Sequence, residues 1–186
     1  MTGRQHMART DRVALGLFAA WCLNDLEELM TMRSGSRAAL RRVPAAVPVP
    51  AAVRDRGLSQ EHVALAIVMM GSLMAAASAL GARTRFRDPI SRTVLEGFGM
   101  HGITHIAASV AARGYTSGVL TAPTVVIPFW VHARRVLRDD GAAAPSPAAL
   151  AAAGALLMPI MLAVHALAHA VLGEDSAGRV PGLPVG

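Results

Sequence analysis

Apolar residues gather into five long runs, at 13–32, 63–81, 90–112, 114–133 and 147–172. Each approaches the roughly 20 mostly apolar residues that a helix needs to cross a bilayer. The second run, "VALAIVMMGSLMAAASALG", carries no charge, and the fifth is uncharged from Ala148 onward. These charge-free lengths argue against a soluble helical bundle. The third run follows Asp88-Pro89, a helix opening in which the carboxylate caps and proline takes the first turn. Pro123 and Pro128 predict a kinked fourth helix and Pro159 a kink in the fifth, with Gly173 as its C-terminal cap. The pattern predicts an all-α fold: a multi-pass transmembrane helical bundle of about five spanning helices in the cell membrane.

One domain, 13–172, accounts for these runs. A polar N-terminal tail (1–12) and a flexible C-terminal tail (173–186) flank it, and an Arg/Pro-rich loop (33–59) containing "VPAAVPVPAAV" interrupts it. No internal repeat and no removable signal segment is recognised.

Composition sharpens this reading. Hydrophobic residues make up 53% of the chain but aromatic ones only 4%, so the apolar mass is alanine, valine, leucine and methionine. All 18 basic residues are arginines and the net charge is +6. They lie between the apolar runs rather than in one stripe and have few aromatic neighbours, which excludes a nucleic-acid partner. If all five runs span, the side holding the N-terminus carries the larger share of arginines, which predicts a cytoplasmic N-terminus. Cys22, the single cysteine, rules out an internal disulfide and a cysteine-based zinc cage.

The first run breaks its own pattern with "WCLNDLEELM". Charge inside a bilayer is costly, so such groups face a bundle interior and have partners. Asn24, Glu27 and Glu28 share one helical face, with Asp25 on its flank. The expected partners are two histidine pairs spaced i, i+4: His101 and His105 in "HGITH", and His165 and His169 in "HALAH". That spacing lets two imidazoles address one ion from a single helix. Counted from the start of each span, Glu27, His101, His105 and His165 fall within roughly 10 Å in depth at 1.5 Å per residue.

Imidazoles and carboxylates without thiols suit zinc, iron or manganese. The expected ligands are Glu27, Glu28, His101, His105, His165 and His169, with Asn24 as an additional candidate, in a site for one or two ions. Glu27 or Glu28 is the expected catalytic base. The function these residues suggest is a metal-dependent membrane enzyme acting on an apolar or lipid-like small molecule that enters from the membrane lipids. Hydrolysis is favoured over oxidation. A proton or divalent-ion transporter and a non-catalytic membrane partner subunit are the alternatives. Glu96 is read as structural, paired with Arg92 at i−4, and His132 as interfacial. Glu61 and His62 stand near the mouth of the site, while Cys22, Met69, Met70 and Met74 are packing or lipid-facing residues.

The stretch Asn24-Asp-Leu-Glu-Glu28 resembles the signature of the HXXEE-domain family of small multi-pass bacterial membrane proteins. The later "HGITHIAASVAARGYTSGVLTAPTVVIP" also looks like that family, with His105, Tyr115, Gly118 and Thr121 at matching positions. Asn24 stands where the signature has its leading histidine. The resemblance implies a membrane protein with a polar intramembrane site and supplies no reaction.

Overall fold

A computed structural model describes residues 2–47, 49 and 51–173; the described residues are helical apart from short connections. The helices are α1 (Thr2–Arg42), α2 (Ala51–Arg56), α3 (Gln60–Thr84), α4 (Pro89–Ala112), α5 (Ile127–Asp139) and α6 (Pro147–Leu172). A π-helical turn at Ala122–Val126 leads into α5. Helix α1 packs most extensively on α3, and α4 on α6.

Among the described residues, two helices, α3 and α6, are long and apolar enough to cross a membrane. Of the about five expected spans, these two have the required length and composition; acids interrupt the apolar stretch of α1, a glutamate and two histidines that of α4, and α5 is short. Helix α1 also runs well beyond the expected 13–32. Residues 2–12 continue it where a polar tail was expected, and "SRAALRR" extends it to Arg42, since arginine, alanine and leucine are strong helix formers. Pro44 lies just beyond that end, and Arg54 of α2 donates to the carbonyls of Leu40 and Val43 there. The remainder of the expected C-terminal tail, 174–186, lies outside the described residues.

The fourth run also differs from expectation. Residues 114–121 form a connection, and helix begins only at Ala122 and continues to Asp139. Arg113 caps α4 in the left-handed region (φ 51°), and Gly118 turns the chain with φ 82°. The amide of Ile127 bonds Ala122 O, a wider reach than an α-helical bond. Pro128 follows directly; it lacks an N–H and its ring would crowd the carbonyl one turn earlier, which the wide turn relieves. The caps expected at Asp88 and Gly173 are present. Burial would raise the Asp88 carboxyl, but hydrogen bonds from Ser91 and Thr84 hold it below the usual range.

The main core lies where the N-terminal half of α1 meets α3, α4 and α5, and includes Leu17, Trp21, Leu95, Phe98, Val126 and Trp130. Four of the seven aromatic residues are seated on glycines: Trp21 on Gly71, Phe86 on Gly81, Phe129 on Gly16 and Trp130 on Gly99. Trp130 also donates its indole N–H to the buried Glu96 at 2.8 Å, and Arg134 lies 3.8 Å from the same oxygen. Glu96 is thus held by α5; the expected partner Arg92 donates instead to Ala143 O. Gly99→Ala pushes a methyl into the Trp130 ring and disturbs its bond to Glu96. Such overpacking costs about 1–3 kcal/mol, so the thermal midpoint of detergent-purified protein should fall. An unchanged midpoint would show that the seat is loose.

Candidate metal centre

Helix α1 sorts its side chains in an inverted way midway along its length. Leu23, Leu26 and Met30 are exposed, whereas Asn24, Asp25 and Glu28 are buried. The buried face meets the second half of α4, where His101 and His105 sit one turn apart. His105 Nε2 lies 2.8 Å from Glu28 Oε1 and His101 Nε2 lies 3.5 Å from the same oxygen. The two Nε2 atoms are 2.8 Å apart. Two imidazole nitrogens and one carboxylate oxygen thus converge with a spread under 4.8 Å, a group that could hold a metal ion. Asn24, 0% exposed, supports it from behind: its amide donates to Glu28 Oε1 at 3.4 Å, and its oxygen lies 3.1 Å from Thr121 Oγ1.

Glu27 does not join this group. Oε1 accepts from Tyr115 OH (2.7 Å) and the Leu120 amide (3.1 Å), and Oε2 accepts from the Thr121 amide (2.8 Å) and hydroxyl (2.6 Å). This carboxylate pins the 114–121 connection against α1. The connection in turn positions His105, because Gly118 lies against its ring so closely that a Cβ there would stand 2.6 Å from Nδ1. His165 and His169 are also outside the Glu28 group. His165 Nδ1 faces His62 Nε2 at 2.9 Å, across the α3–α6 seam. His62, placed by sequence reading near the mouth, is buried. Its only sequence signal was proximity to the opening of a charge-free helix. His132 and Cys22 are exposed.

Glu28, His101, His165 and Asp25 face an open cavity of about 370 Å³ lined by α1, α3, α4 and α6. The rest of its wall is almost wholly apolar, including Trp21, Ile67, Met70, Phe98, Leu157 and Val164. Asp25, assigned by sequence to a flank, is therefore the second carboxylate of the chamber.

If Glu27 acts by holding the connection, Glu27→Gln should leave metal binding intact while loosening residues 114–121. An amide has one acceptor oxygen where four donors converge, so its NH₂ must face other N–H or O–H groups. The expected cost is about 1–3 kcal/mol, read as a lower thermal midpoint and faster proteolysis within the connection. Loss of bound metal with unchanged stability would assign Glu27 to the ion instead.

The fold and site define a class: a helical protein that sets a buried carboxylate against two part-buried imidazoles at the edge of an apolar chamber. The family model described as "Protein of unknown function with HXXEE motif" matches residues 15–133, and the chain belongs to that family. No curated protein and no solved structure matches it. The motif's glutamates divide the work seen here, Glu28 with the histidines and Glu27 with the connection.

Proposed function

We propose that this is an integral membrane protein of about five spans that binds a divalent metal at Glu28, His101 and His105 and uses it on an apolar, lipid-like substrate. The observation that carries the reading is the meeting of this ligand group with a cavity whose remaining wall is almost entirely apolar. Two histidines and one carboxylate leave coordination positions free, as in catalytic zinc sites and in two-histidine, one-carboxylate iron sites. A bound ion polarises a carbonyl or lowers the pKa of a coordinated water towards neutrality. Asp25 stands beside Glu28 in the chamber and is the group to accept the proton, with Glu28 occupied by the ion. Asn24 orients Glu28 rather than ligating, which keeps the site complete without the motif's first histidine.

The outward face supports a membrane location. Leu23, Leu26 and Met30 of α1 and Ile103 and Val110 of α4 are exposed while the acids and histidines turn inward, the arrangement a lipid solvent favours. Hydrolysis is the favoured reaction. To test it, zinc-loaded protein is reconstituted with lipid extract, and products are followed by mass spectrometry beside Glu28→Gln. Zinc-dependent release of free acid or alcohol in the wild type alone is expected. No product with either zinc or ferrous iron would contradict an enzymatic role.

A further inference from the structure

We propose that His62, His165 and His169 form a second divalent-cation site on the α3–α6 seam, independent of the Glu28 group. The proposal goes beyond the reading above and needs no ion at the first site.

Ser59 caps α3 by accepting from the His62 amide, which fixes His62 in the first turn. His62 is 5% exposed, and its ring stacks on that of His165 with centroids 5.2 Å apart and planes 14° from parallel. The 2.9 Å approach of Nε2 to Nδ1 brings two ring nitrogens to one place from separate helices. His169 lies one turn beyond His165 on α6. Its Nδ1 is buried with no hydrogen-bond partner among the described residues. An orphaned buried nitrogen costs about 1–3 kcal/mol, so it calls for a ligand. Elsewhere in this chain the same i, i+4 spacing converges well, as His101 and His105 bring their Nε2 atoms within 2.8 Å. A rotation of the His169 ring towards the His62–His165 pair would complete three neutral imidazoles, a ligand set that binds zinc and leaves a fourth position for water or substrate.

His165 lines the same chamber as Glu28 and His101. A cation held there would therefore face the same substrate volume as the Glu28 group.

The test titrates zinc into detergent-purified, chelator-stripped protein. The wild type should take up two zinc ions per chain. His62→Gln, which keeps most of the side-chain volume, and His169→Ala, on another helix, should each retain one. For the lost site, affinity falls by at least the roughly 100-fold that even a supporting partner can contribute. His105→Ala should keep the second site. One zinc in the wild type, unaffected by His62→Gln and His169→Ala, overturns the second site and leaves the first. One zinc lost in those two variants but kept in His105→Ala supports the second and overturns the first. No zinc at all overturns both.

Discussion

His105→Ala is expected to release the ion held by Glu28. To isolate that site, the comparison is made in a His62→Gln background. In this background, zinc should raise the thermal midpoint of the parent, since a ligand at 100 times its dissociation constant adds about 2.7 kcal/mol. His105 makes the shortest contact of the group, 2.8 Å to Glu28 Oε1. Removing it leaves one imidazole and one carboxylate, too few to fix an ion in a catalytic geometry, and the zinc-induced shift should vanish. The competing physical account is that the group is polar packing between α1 and α4. Under that account the variant loses stability equally with and without zinc, and the parent shows no zinc response. The two outcomes separate cleanly because the readout is the response to metal, not stability itself.

Gly118→Ala should damage both stability and metal binding. At φ 82° the position disfavours any L side chain, by about 1–2 kcal/mol. The added methyl also meets the His105 imidazole, standing 2.6 Å from its Nδ1; overpacking of this kind costs about 1–3 kcal/mol more. The ring must move, and Nε2 with it. Gly141 is the control: its φ is 84°, yet a Cβ there has no neighbour within 4 Å among the described residues. Gly141→Ala should pay the backbone cost alone and bind zinc like the parent. Equal behaviour of the two variants would show that Gly118 serves only the turn.

What the sequence made legible follows from where each signal resides. The charge-free runs announced α3 and α6, and Asp88-Pro89 announced the start of α4, because both signals are local. That His101 and His105 address one point was also visible, since i, i+4 spacing depends on helix geometry alone; the depth matching that joined them to Glu28 rested on all five runs spanning. The division of labour between Glu27 and Glu28 was not. Both acids share a helical face, and only the fold of residues 114–121 decides that Glu27 receives Tyr115, Leu120 and Thr121. That connection was read as helix because its apolar residues continue the fourth run, and the positive φ at Gly118 breaks it. His62 was undervalued for a similar reason: its partner, His165, is distant in sequence and meets it only through packing of α3 on α6. The expected pairing of Glu96 with Arg92 failed because a buried indole N–H on α5 competes better than an arginine that reaches Ala143.

The motif acquires a physical meaning from these contacts. Its final glutamate meets the imidazoles, the preceding one anchors the connection, and the position taken by Asn24 buttresses both through Glu28 and Thr121.

Whether an ion binds at Glu28 is decided by crystals grown with zinc and an anomalous difference map recorded at the zinc edge. A peak is expected about 2.0–2.2 Å from the Glu28 carboxylate and from Nε2 of His101 and His105. A map with no peak there, the two imidazoles still contacting each other and Glu28 directly, would contradict the metal centre.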